Sequence, residues 1–265
     1  MKRNIWVLAL VGAILWGQAA WAQDFYVVAV GGVGTRITAV PYTISAPGFY
    51  YLGADLTHTG VTNAITVNVD NVTIDLMGFS LTHTDAPGNT AGILMSARTN
   101  VEVRNGTVRG FNEGILETGG NKHRMINVRG SNNASTGISL TGAGHLIKGC
   151  NTSNNGNGIS VQSGMIADCV ATNNINFGIA LGSGIITDCV ATNNPGIAGI
   201  HLTGPGSVLG NTAFANAARN FEFGGAGVPT SILVDRNSAF GLNPNYTISP
   251  TTTGVVITGN NAGTP

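Results

Sequence analysis

Five of the eight arginines that follow residue 3 fall between residues 98 and 129, together with three of the four glutamates. The window holds Arg98, Glu102, Arg104, Arg109, Glu113, Glu117, Lys122, His123, Arg124 and Arg129. A guanidinium is a planar fork of donors that meets a carboxylate or sulfate with two bonds at once. A row of them suits an acidic polysaccharide, which makes Arg104, Arg109, Glu113, Glu117, Arg124 and Arg129 the candidate substrate-binding residues. The plain alternative is a solvated face of cross-strand pairs, such as Asp75 against Arg104, each worth tenths of a kcal/mol.

Other groups repeat at fixed spacing. Asp168 and Asp188 sit in near-copies, ADCVATNN and TDCVATNN. Stacked carboxylates could hold calcium or share a proton, whereas a duplicated surface aspartate needs no ligand. Calcium is the one cofactor that such a pair would suit, and two carboxylates alone do not make a metal site. Cys150, Cys169 and Cys189 share the same frame. Three thiols cannot all pair, and a line of them cannot surround a zinc ion, so they read as a stack of small buried side chains with their disulfide state open. His145 and His201 are the nearest bases in sequence. His58 and His83 repeat a Leu-Thr-His-Thr element and are expected on a turn surface.

The elements that carry these groups announce themselves by repetition. Gly-Ile recurs with its isoleucine at Ile93, Ile115, Ile138, Ile159, Ile179 and Ile200, and Phe221 continues the series. Asn133, Asn155, Asn174, Asn194 and Asn216 keep the same step. Short β-branched runs alternate with Gly/Asn turns, and no sustained helical period follows the first 22 residues. Units of this length suit one turn of a coil whose strands pair with the next turn, ~4.8 Å away. The isoleucines would form an inward aliphatic column and the asparagines a hydrogen-bonded ladder at a turn. The sequence thus predicts an all-β parallel β-helix, a solenoid of about eight to nine turns.

Composition narrows the partners. Only 9% of residues are charged, against a typical ~25%, while 43% are hydrophobic, too apolar for disorder. No basic stripe supports nucleic-acid binding. Lys2 and Arg3 precede an apolar run, 5–17, and then Ala20-Trp21-Ala22, the pattern of a cleavable signal peptide. The run falls short of the ~20 residues of a spanning helix, so no stable membrane insertion is expected after cleavage. The protein is expected to be secreted, periplasmic or on the cell surface. The chain divides into a signal peptide (1–22), an N-terminal cap and first strands (23–66), β-helix repeats (67–240), and a degenerate last turn with a C-terminal tail (241–265). The C-terminal end of such a stack is a place where copies could associate.

The segments PYTISAPGFYYLGADLT (41–57), NVTIDLMGFSLT (71–82) and NVEVRNGTVRGFNEGI (100–115) resemble bacterial exported right-handed parallel β-helix repeat proteins of the pectin-lyase-like superfamily. The resemblance implies the right hand of the coil and a carbohydrate partner. It does not bring a catalytic set. The Asn-Thr-Asp, Asp-Asp, Gly-His-Gly and Arg-Ile-Lys segments of the hydrolases and the Asp-Pro-His-Asp segment of the epimerases do not occur here. The leading reading is therefore a non-catalytic scaffold or binding protein that contacts polysaccharide or another surface partner. The alternative is a divergent lyase, hydrolase or epimerase acting on an acidic glycan.

Overall fold

The structure is a computed structural model that describes residues 34–225, 231–241, 244–249 and 254–262. The expected signal peptide lies outside the described residues. Among the described residues there are 27 strands and no helix, and every strand pairing is parallel.

Following the pairs coil by coil separates the strands into three faces. In one representative coil, Asn157–Ala167 supplies face I with its first half and face II with its second, and Val170–Thr172 supplies face III. Each residue then meets its equivalent one coil on. Ile159 pairs with Ile179, Ile166 with Ile186, and Ala171 with Ala191.

The inward column of face I contains the predicted series and extends it at both ends. Tyr42, Ile65, Ile93, Ile115, Ile138, Ile159, Ile179, Ile200, Phe221 and Tyr246 stand in continuous register. Nine turns separate the first from the last. The six isoleucines from Ile93 to Ile200 are fully buried. Alternation of the strand sends the residue after each of them outward, so each coil adds a layer of core without any helix. The ladder begins ahead of Val67, where the repeat becomes legible. Thr35–Ile37 already pairs with residues 50–52, and Tyr42–Ile44 with Ile65–Val67. These first coils are irregular in length, which hides the period. At the other end Tyr246–Ile248 and Val255–Thr258 still pair with the preceding coil.

The Gly-Ile signature has a steric cause. A Cβ on Gly137 would lie 2.8 Å from the Gly158 carbonyl oxygen, and one on Gly178 would lie 2.6 Å from the Gly199 oxygen. Side chains are excluded there because neighbouring coils approach through that residue.

The corners follow one rule. A residue in the left-handed region turns the chain and the next residue points inward; where that residue is Asn, Cys or His it offers an acceptor to the coil before it, and where it is Val72, Val101 or Val128 it adds to the apolar core. Between faces III and I the turning residues include Asn132, Asn154, Asn173 and Asn193, at φ 55–57°. The inward residues are the predicted asparagine column, and all five are buried. Asn155 Nδ2 donates to Asn174 Oδ1 at 2.9 Å, and Asn174 Nδ2 donates to Asn194 Oδ1 at 3.1 Å. The same oxygens accept backbone N–H groups, as Asn174 Oδ1 does from Asn155 at 3.1 Å. Asparagine fits because its short amide bonds both ways along the stack while the chain turns beside it.

Between faces II and III the cysteines take this role. Cys150, Cys169 and Cys189 are buried free thiols. The Cys169 N–H meets Cys189 Sγ at 3.4 Å, and the Cys189 N–H donates to Asn211 Oδ1 at 2.9 Å. Asn211 and Asn237 then continue the column as amides. The thiols form the stack of small side chains read from the sequence, and they act as ladder rungs within it.

Candidate functional site

The six candidate binding residues do not share one surface. Arg104 and Arg124 lie on face II, Arg109 and Arg129 on face III, and Glu113 and Glu117 on face I strands. The window from 98 to 129 wraps the coil rather than lining it, so closeness in sequence carries residues around corners.

On face II the charges satisfy one another. Arg104 Nε lies 2.7 Å from Asp75 Oδ2, and one terminal nitrogen lies 3.1 Å from Glu102 Oε1. The pairing of Asp75 with Arg104 is the cross-strand contact expected from the repeat. Asn105 Nδ2 also donates to Asp75, and the Arg104 guanidinium lies 5.6 Å over the Phe49 ring. Arg124 Nε lies 3.4 Å from Glu102 Oε2. The Asp75 hydrogen bond and charge, with Glu102, raise the pKa of Arg104 further, so this group is fixed as a cation. It serves the sheet more than it serves a ligand.

Arg109 and Arg129 are exposed on face III. Arg109 Nε bonds Thr82 Oγ1 at 3.1 Å, and neither arginine has a carboxylate partner among the described residues. They are the part of the arginine row left available to an anion. Glu113 is half-buried and accepts from Ser135 Oγ at 2.6 Å, while burial raises its carboxyl pKa.

Glu117 corrects the sequence reading. It is fully buried, in register between Met95 and Leu140 in an otherwise apolar inward column. Its position two residues after Ile115 makes it inward by strand alternation, so it cannot touch an external ligand. His58 and His83 are corrected in the same way. Both are buried, against the expected turn surface, and their rings pack beside Phe111. Their Nε2 atoms bond the Thr62 and Gly60 carbonyls at 2.8 and 2.9 Å, which anchors the first loops.

Asp168 and Asp188 occupy the turning position between faces II and III, at φ 55° and 54°. Asp168 Oδ2 lies 3.6 Å from Lys148 Nζ, and Asp188 Oδ2 accepts from Thr187 Oγ1 at 2.7 Å. Among the described residues no three metal-ligating side chains converge.

The feature that sequence reasoning missed is a groove of about 420 Å³ on face I. Its floor is the outward column Ser139, Ser160 and Ala180, the variable position of Gly-Ile-x-Leu/Val. Small side chains on three successive coils leave a depression. Phe177 and His201 also line it, stacked on each other at 5.0 Å and 11°. Thr141, Gln162 and Thr203 add polar groups along one side. Burial lowers the His201 pKa, and its Nε2 lies 3.4 Å from the Gly224 carbonyl oxygen, so the ring presents a neutral aromatic surface. Reading down the x column, rather than along the chain, would have found this place.

Comparison with known proteins places the fold. The family described as right handed beta helix region matches residues 57–214. Among solved structures, the Dettilon tailspike protein superposes with a TM-score of 0.59 at 14% identity, covering 85% of this chain and 59% of that one. Pectate lyase Pel9A gives a TM-score of 0.51 at 15% identity, covering 86% of this chain and 71% of that one. The chain spans less than two thirds of the tailspike's length, and identities this low establish a shared fold alone. Comparison with curated protein sequences finds no match. With its coils traced strand by strand and more than half its length matched, the chain belongs to the right-handed β-helix family.

Proposed function

We propose that this protein is an exported, non-catalytic β-helix that binds polysaccharide along face I, with the groove at Phe177 and His201 as its main contact. The observation that carries this reading is the groove's construction: an aromatic pair, a small-residue floor, and hydroxyl and amide groups repeated from coil to coil. A sugar ring presents an apolar face bordered by hydroxyls, which matches a ring surface flanked by Ser, Thr and Gln side chains. The coil rise of ~4.8 Å is close to the length of one sugar unit, so a repeating glycan meets repeating donors. Pectate lyase Pel9A, one of the similar folds, carries a polysaccharide in its name. The groove lining supplies stacking and hydrogen bonds, whereas cleavage by two carboxyls needs a facing pair ~5–10 Å apart.

A second contact has its own support. Arg109 and Arg129, exposed on face III, suit carboxylate or sulfate groups of an acidic glycan. A glycan array with parallel detection of released reducing or unsaturated sugars separates these readings. Binding that Phe177→Ala weakens at least tenfold supports the groove. Loss confined to Arg109→Ala with Arg129→Ala, and strongest at low salt, moves the contact to face III. Product release from any glycan overturns the non-catalytic reading, and no binding to any glycan overturns the polysaccharide itself.

A further inference from the structure

The third corner, between faces I and II, obeys the corner rule with a different chemistry. Lys122 and Gly144 turn the chain at φ 59° and 74°, and the inward residues that follow are His123 and His145. The Val101 N–H donates to His123 Nδ1 at 3.1 Å, and the His123 N–H donates to His145 Nδ1 at 3.3 Å. Each Nδ1 therefore does what Asn Oδ1 and Cys Sγ do at the other corners. The rings stack at 5.3 Å and 9°, and His145 Nε2 donates to the Thr141 carbonyl at 2.7 Å. An imidazole whose Nδ1 accepts is neutral with its hydrogen on Nε2.

Glu117 completes the cluster from face I. Its Oε1 accepts the Gly120 N–H, and its buried Oε2 has no hydrogen-bond partner among the described residues and lies 3.9 Å from His145 Nε2. His123 Nε2 is likewise buried without a hydrogen-bond partner among the described residues. Two further charges belong to this corner. Asp70 Oδ1 accepts the Thr99 N–H at 2.9 Å, and the Arg98 guanidinium bonds the Ser96 and Asn68 carbonyls at 2.8 and 3.1 Å.

We propose that His123 and His145 form an acid-operated latch: protonation removes both Nδ1 acceptors and opens the corner between faces I and II, while the Asn and Cys corners stay closed. An amide oxygen and a thiol keep their lone pairs in mild acid, and an imidazole does not. Once protonated, each Nδ1 points a hydrogen at a backbone N–H, and two stacked cations repel in a buried setting. Burial, with the neighbouring His145, lowers the His123 pKa to about 4, and burial lowers that of His145 as well. Glu117 compensates little, because burial raises its own pKa and favours the uncharged carboxyl. The sign follows from linkage. A depressed histidine pKa gives a closed corner that is favoured above about 6.5 and progressively lost as pH falls towards about 4. For His123 alone the open state gains on the order of a hundredfold across that range.

Hydrogen exchange of the whole chain, expressed as protection factors at pH 7 and pH 4, tests this. Peptides over 96–104 and 118–127 should lose at least tenfold protection in acid, while peptides over 152–158 and 167–177, which carry the Asn155, Cys169 and Asn174 rungs, hold theirs. The His123→Asn, His145→Asn double variant replaces each Nδ1 with an amide oxygen, and it should keep protection at both pH values. Unchanged protection of residues 96–127 in the parent at pH 4 overturns the latch. So does equal loss across all coils, or the same local loss in the double variant. The comparison between corners of the parent decides the matter by itself if the variant does not fold.

Discussion

Replacing Asn174 with alanine removes one rung from the ladder between faces III and I, and its cost can be worked from the bonds it breaks. Asn174 Oδ1 accepts two hydrogens, from the Asn155 backbone at 3.1 Å and from Asn155 Nδ2 at 2.9 Å. Its Nδ2 donates to the Thr152 carbonyl at 3.2 Å and to Asn194 Oδ1 at 3.1 Å. Asn174, Asn155 and Asn194 are all fully buried, so water cannot take over at these groups. The Asn155 backbone N–H is left as an orphan donor, costing about 1–3 kcal/mol. Partial loss at Asn155 Nδ2, the Thr152 carbonyl and Asn194 Oδ1 brings the total to roughly 3–5 kcal/mol. Helix or strand propensity plays little part, because the change lies at a turn-flanking position. Asn174→Cys is the informative partner variant, since a thiol is the natural rung at Cys169 and Cys189. It should recover at least half of the loss. Urea unfolding followed by far-UV circular dichroism gives both values, provided the slope is unchanged between variants. A loss below 1 kcal/mol for Asn174→Ala would refute the account of the ladder as a set of mutually dependent buried bonds.

Two further outcomes follow from the same packing. Ile159→Asp or Ile179→Asp places an unpaired charge in the fully buried column of face I and should abolish cooperative thermal unfolding. A melt like the parent's for both variants would show that the column does not face inward. Glu117→Gln should flatten one limb of the stability profile. A raised carboxyl pKa stabilises below the ordinary glutamate range and loses that contribution as pH rises through the folded value, so the variant should gain stability at pH 7 relative to pH 4. Melting temperatures across that interval check it, and equal profiles for parent and variant would show that the carboxyl does not titrate differently on folding.

The coil was legible in the sequence because its core and its corners repeat with the same step. Ile93 to Phe221 and Asn133 to Asn216 mark inward positions that meet the same surroundings on every coil, so they stand out as a visible period. The candidate site was less legible for a geometric reason. Residues 104, 109, 124 and 129 are near one another in sequence, yet a coil of about this length passes a corner between each successive pair on the same turn. Composition can locate charge in a coil, but only register says which face receives it. Glu117 shows the limit most sharply. It stands two residues after Ile115, as Leu140 stands two after Ile138, and a reading by strand alternation would have put it inside. Its charge drew it to the surface in the sequence reading because buried carboxylates are rare.

His123 and His145 expose why rung identity matters beyond stability. Each corner places an inward residue one position after a left-handed turn, and that demand fixes geometry without fixing chemistry. Asparagine meets it with an amide whose oxygen accepts from the coil before and whose nitrogen donates to the coil after, cysteine with a weak acceptor of small volume, and histidine with a nitrogen that can be switched off. The backbone bonds they receive are of ordinary length in all three cases, 2.9 Å at Asn211, 3.1 Å at His123 and 3.4 Å at Cys189. Substitution among these rungs therefore leaves the coil's path intact and changes only how each corner responds to its surroundings. The outward x position of face I is free in the complementary sense, since Ser139, Ser160, Ala180 and His201 share one register and differ only in what they show to solvent. A fold built this way can acquire a binding groove on one column and a pH response in another without either change disturbing the nine-turn core.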